Sequence, residues 1–235
     1  MQKSQRGHSL SATRQLTLAA VFAALAFASR YVFHFNVQFL TFDLKDAVTT
    51  IAGLLLGPVA ALSISFLVAL LELITVSETG WYGFIMNFAS SATFSVVCAV
   101  VYRYRKKLSG AIISLVSAVI ALVAVMVALN LVVTPLFQGV SLSVILPMIP
   151  TLFLPFNAVK GLINAALVLI LYKPVHRAMQ AARLLPKSKA PAAPDPEQKK
   201  KHAVRSIIVS VAGVLLIAAA IAVFILVLHG QFELW

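Results

Sequence analysis

Lys160, Asn157 and Asn164 are the residues whose types and spacing best suit chemistry in this chain. They lie in the apolar stretch Pro147–Tyr172, around the run Leu154-Pro155-Phe156-Asn157-Ala158-Val159-Lys160-Gly161. A lysine at mid-membrane depth costs about 2.5–3.5 kcal/mol on insertion scales, so it persists only where something polar offsets that cost. On a helix the three residues fall at i, i+3 and i+7 and share one face. They would form a polar stripe of one cation and two amides, which donates and accepts hydrogen bonds and suits a ligand site. The alternative is a structural lysine, paired with a neighbour or reaching a lipid headgroup.

Other chemistries find no support. There is no His-Glu-x-x-His motif, no paired carboxylates on one helix, no Gly-x-Ser-x-Gly elbow and no phosphate-binding Gly-Lys-Ser/Thr loop. Glu72 is the only acid inside an apolar span, and a buried neutral or paired carboxyl is its expected role. Cys98 is the only cysteine, so neither an intrachain disulfide nor a thiolate metal cluster can form. The five histidines lack ligand spacing. No catalytic residue, metal or cofactor is expected, and the chain has no ATP-binding domain.

The elements that hold the polar stripe follow from composition. Of 235 residues, 61% are hydrophobic and 11% charged, against about 25% charged in soluble domains. The mean hydropathy is +0.98. Stretches long enough to cross roughly 30 Å of hydrocarbon recur, and barrel-type alternation is absent, so the expectation is an all-α membrane protein. Apolar runs and Gly/Pro punctuation predict spans near 12–34, 46–57, 58–76, 82–102, 109–133 and 148–172, with one more at 204–228. The first is read as a retained span, not a cleaved signal. Gly57-Pro58 divides the second and third into short half-spans, a feature that often marks a binding region in transporters. The domains are then 1–180, a six-span bundle; 181–203, a Pro- and Lys-rich linker; and 204–235, an appended transmembrane helix with a short tail.

The net charge of +12 is not a nucleic-acid footprint. The basic residues gather before the first span, at Arg103, Arg105, Lys106 and Lys107, and between Lys173 and Arg205. The positive-inside rule makes these segments cytoplasmic in a multi-pass cell-membrane protein, with the N-terminus inside and Trp235 outside. The basic charge contacts anionic lipid.

Two further features stand out. Span one carries Ala20 and Ala24 with Ala19 and Ala23 beside them, a small-xxx-small pattern that lets helices approach closely. The first outer loop carries Phe39-Leu40-Thr41-Phe42-Asp43, either an aromatic belt or a wall over a pocket for a flat ligand.

Several motifs occur in order along residues 14–175. They are Ala20-x-x-x-Ala24 with Leu25-Ala26-Phe27, then Phe42-Asp43-Leu44-Lys45-Asp46 leading to Leu56-Gly57-Pro58. Glu78-Thr79-Gly80 with Gly83 and Met86-Asn87-Phe88 follows, and last comes Leu154 to Gly161. The set resembles the riboflavin-specific S component of energy-coupling factor (ECF) vitamin transporters. The resemblance implies a six-helix S-component bundle that captures riboflavin, vitamin B2, outside the cell. It implies as partners a transmembrane coupling subunit and two cytoplasmic ATPases. Ala20 and Ala24 become the coupling face. Asn130, Asn157 and Lys160 match family ligand residues, with the Phe39–Asp43 loop as the outer wall. Together with Asn164 of the polar stripe, Phe156 as an apolar ring cover and Asn87, the expected substrate-binding set is Phe39, Leu40, Thr41, Asp43, Asn87, Asn130, Phe156, Asn157, Lys160 and Asn164. The helix at 204–228 departs from the family pattern. The rival expectations are an S component for another vitamin or a flavin nucleotide, and a stand-alone secondary carrier or membrane scaffold.

Overall fold

A computed structural model describes residues 11–32 and 34–185, and, in the last predicted span, residues 211, 213–215, 217, 218 and 222. The chain begins with α1 (Ala12–Val32), followed by the antiparallel strands β1 (His34–Val37) and β2 (Leu40–Asp43). The helices α2 (Lys45–Leu56), α3 (Pro58–Thr75), α4 (Gly80–Tyr104) and α5 (Leu108–Gln138) come next. A short α6 (Leu142–Ile145) and a π-helical turn (Ile149–Phe153) lead into α7 (Leu154–Ala181).

Among the described residues, five helical segments are long and apolar enough to cross a membrane: α1, α3, α4, α5 and the π-turn with α7. The span predicted at 46–57 differs. At 12 residues, α2 rises only about 18 Å, short of the hydrocarbon thickness. Lys45, Asp46, Thr49 and Thr50 are buried along it, so it is an interior helix packed against α1, α3, α4 and α7. Gly57, at φ 106, joins it to α3 in a backbone conformation that favours glycine.

The outer loop predicted between spans one and two is a hairpin. His34 pairs with Asp43 and Val37 with Leu40 across a two-residue turn, where Gln38 takes φ 55. Val37, Leu40 and Phe42 are buried against Ile145, Leu152, Phe153 and Phe156. The short α2 explains this depth, because a helix that starts below the rim draws the strands before it into the bundle. Non-helical backbone at such depth is tolerated where protein surrounds it and its hydrogen bonds are met, and strand pairing does that here.

Helix α5 runs past Pro135, where the sequence suggested an end. Pro135 costs the ladder one hydrogen bond, to the Leu131 carbonyl, without ending the helix. The helix stops at Gly139, whose left-handed backbone donates its N–H to Pro135 O. Of the predicted last span, the described residues are helical. A side chain at Gly213 would meet Ile170 of α7, so the two backbones approach closely there. The linker 186–202 lies outside the described residues.

Candidate functional site

The hairpin, α4, α5 and α7 line a cavity of about 80 Å³ that opens toward one end of the bundle. Phe39, Leu40 and Thr41 reach it from the hairpin turn and β2, Asn87 and Ser90 from α4, Asn130 from α5, and Phe156, Asn157 and Lys160 from α7. Eight of the ten residues expected to bind substrate thus share one wall. A polar vestibule adjoins it toward the hairpin end and shares Phe39, Thr41, Thr79, Asn87 and Phe137 with it; Arg30, Asn36, Glu72 and Glu78 also line it.

The cavity has an apolar rim and a polar floor. Phe39 lies 6.1 Å from Phe153 and 6.4 Å from Phe137 between ring centroids, and Tyr82 lies 5.7 Å from Phe137. Such rings suit the face of a planar ligand. On the floor, Asn130 donates to Met126 O at 2.7 Å and accepts from Thr134 Oγ1 at 2.9 Å. Asn157 donates to Phe153 O at 2.8 Å, a carbonyl of the π-turn. Each amide keeps further donor and acceptor capacity facing the cavity. Next to Lys160, Gly161 lets α7 approach α5, since a Cβ there would crowd Val119 and Leu122.

Asp43 and Asn164 lie behind the wall. Asn164 accepts the Ala47 N–H at 2.8 Å and donates to Lys160 O at 3.0 Å and to Asp43 O at 3.4 Å. It ties the end of β2 and the start of α2 to α7. Asn164 shares a helix face with Lys160, but one more turn carries it past the cavity to backbone groups.

Asp43 belongs to a buried charge network that the linear sequence concealed. Lys45 Nζ donates to both oxygens of Glu72, at 2.7 and 2.8 Å, and lies 3.2 Å from Asp43 Oδ2. Arg30 meets Glu72 at 3.4 Å. Lys160 Nζ lies 3.9 Å from Asp43 Oδ2 and 3.7 Å from Asp46 Oδ2, and donates to Thr41 O at 3.4 Å. Three cations therefore face three carboxylates, which makes burial tolerable. Burial disfavours the charged form of Asp43, yet Lys160, Lys45 and Arg30 outweigh it and hold this carboxyl below the usual carboxylate range. Glu72, expected as a neutral or paired acid, is paired.

The two buried lysines differ in what they have left to offer. Lys45 is engaged at short range by Glu72, whereas Lys160 has one long hydrogen bond and two ion-pair contacts beyond hydrogen-bonding distance. With three protons to donate, Lys160 can serve an acceptor in the cavity.

On α1, Leu18, Phe22, Ala23 and Ala26 face the core, while Ala20 and Ala24 are exposed on the other side beside Leu16, Val21 and Leu25. Sequence reasoning missed Tyr82, Met126, Ser90 and Phe137 as cavity residues. Aromatic, methionine and serine side chains are common in membrane helices and carry no local signal of facing a ligand.

The family model for the substrate-specific component of ECF transporters matches residues 14–175. The chain belongs to this family. It is thus a multi-pass membrane protein that serves as the substrate-specific component of an ECF transporter, working with that transporter's other parts. A solved structure described as "Structure and mechanism of the S component of a bacterial ECF transporter" shares the fold. It superposes with a TM-score of 0.61 at 24% identity, over 72% of this chain and 98% of that one. Among curated proteins no match is found.

Proposed function

We propose that this S component captures riboflavin. The observation that carries the reading is the cavity under the hairpin, where aromatic rings stand above Lys160, Asn157 and Asn130. Riboflavin has a flat ring system with carbonyl and ring-nitrogen acceptors along one edge, and a ribityl chain rich in hydroxyls. Phe39, Leu40 and Phe156 cover the ring faces, Lys160 donates to the acceptor edge, and the amides meet groups of either kind. The hydroxyl chain extends toward the polar vestibule. In this reading the hairpin end is extracellular and the Arg103–Lys107 end cytoplasmic. The exposed Ala20/Ala24 face of α1 docks the coupling subunit, through which two ATPases supply the energy.

Purified protein tests the reading directly. Bound flavin gives a yellow preparation, and adding riboflavin to the ligand-free protein quenches flavin fluorescence in a saturable way. Lys160→Ala should weaken the affinity by about 1.5–3 kcal/mol, the size of a hydrogen bond to a charged donor. Equal affinities would remove Lys160 from the site. A colourless protein that never quenches flavin would remove riboflavin.

A further inference from the structure

Within the buried network the charges divide unevenly. Arg30 and Lys45 meet Glu72, and Lys45 also meets Asp43, so these two cations and two carboxylates form a neutral quartet. Beside it stand Lys160 and Asp46, with Lys160 also 3.9 Å from Asp43 of the quartet. Asp46 is buried at the first turn of α2 and meets no other cation among the described residues. Its carboxylate is fixed from α4: Ser90 Oγ donates to Oδ2 at 3.2 Å, and Ser91 Oγ donates to Oδ1. Its backbone carbonyl accepts from Thr50 Oγ1 at 2.6 Å. Ser90 also lines the cavity.

We propose that Asp46, held by Ser90 and Ser91, is the positioning residue for the Lys160 ammonium at the cavity wall. The inference rests on the reading of Lys160 as a substrate donor. The spacing of 3.7 Å is the telling quantity. It is short enough for strong attraction in a low-dielectric interior, yet too long for a hydrogen bond. Asp46 thus holds the ammonium in place without consuming the protons that a ligand needs. Asp43 also attracts the ammonium, at 3.9 Å, but it is shared with Lys45 at 3.2 Å, which leaves Asp46 as the carboxylate that Lys160 has to itself. The two serines make the position of the carboxylate, and hence of the ammonium, a property of where α4 packs against α2. Substrate affinity is thereby set in part by three residues that need not touch the substrate through their carboxylate or hydroxyl oxygens.

A double-mutant cycle in the full-length protein tests this, with riboflavin fluorescence titration and thermal unfolding read in parallel. Asp46→Asn should weaken binding about 10–100-fold, as expected for disturbing a charged hydrogen bond. In a Lys160→Met background the same change should alter binding less than about threefold, because nothing is left to position. The double variant should also unfold at a higher temperature than either single variant, since each single change leaves one buried charge without its partner. Ser91→Ala keeps both charges and serves where Asp46→Asn does not fold; it should weaken binding severalfold in the parent and not in Lys160→Met. Losses that multiply in the double variant, or wild-type affinity in both Asp46→Asn and Ser91→Ala, would overturn the assignment. A wild-type protein without riboflavin binding would instead overturn the proposed function, and this role with it.

Discussion

Removing Lys45 should unfold the protein long before it abolishes the site. Lys45 is about 1% exposed, bridges Glu72 with two hydrogen bonds of 2.7 and 2.8 Å, and lies 3.2 Å from Asp43. Lys45→Met keeps the aliphatic bulk but removes the closest cation from both acids, leaving Glu72 with Arg30 at 3.4 Å and Asp43 with Lys160 at 3.9 Å. Taking one partner from a buried pair costs about 3–5 kcal/mol, which for a chain of this size lowers the unfolding midpoint by about 6–20 °C. Thermal unfolding in detergent micelles, followed by helical circular dichroism, gives the shift. Lys45→Met combined with Glu72→Gln restores the charge balance and should recover most of the loss. Below the midpoint, riboflavin affinity should stay within a few-fold of wild type, since Lys45 does not line the cavity. An unchanged midpoint for Lys45→Met would refute the view that these charges are coupled. So would a double variant no more stable than the single.

Two further predictions concern assembly and orientation. Tryptophan at Ala20 or Ala24 should leave riboflavin binding on purified protein within a few-fold of wild type while abolishing uptake in a flavin-requiring strain that expresses the whole transporter, because an indole prevents close helix approach; unchanged uptake would sink the coupling-face assignment, and lost binding would mean that the alanines pack this bundle. After Cys98→Ser, a single cysteine at Gln38 should react with a membrane-impermeant reagent on intact cells and one at Lys106 should not; the reverse pattern would invert the orientation.

The spans were legible because a membrane imposes one strong rule, long apolar stretches folded as helices, and Gly57 and Gly139 punctuate them. The Asn157–Lys160 pair was legible for the same reason, since a cation in such a stretch stands out and helical periodicity assigns it a neighbour. The charge network was not. Asp43 and Lys45 read as part of an outer loop and Asp46 as the start of a span, while Glu72, 27 residues beyond Lys45, reads as a buried acid whose partner the sequence does not name. Only the inward pull of the short α2 brings them together, and α2 itself looked like one more span. Asn164 shows the converse limit. Periodicity put it on the Lys160 face correctly, but one turn along a helix is enough to exchange a cavity for a backbone carbonyl.

The cavity's position within the bundle bears on how a cell can tolerate this protein. From Ser90 at the floor, α4 continues for about 14 residues, about 21 Å, to its basic end. Along that distance Phe94, Ser95 and Cys98 of α4, Ala52 of α2, and Ala118 and Leu122 of α5 are fully or almost fully buried, and none carries a charge. An ion that reached Lys160 at the floor would next meet buried apolar side chains and hydroxyls already bonded within the bundle, such as those of Ser65 and Ser95. Among these residues none offers an ion a charged stepping stone, so the S component alone should leave the membrane potential intact while it waits for its transport partners.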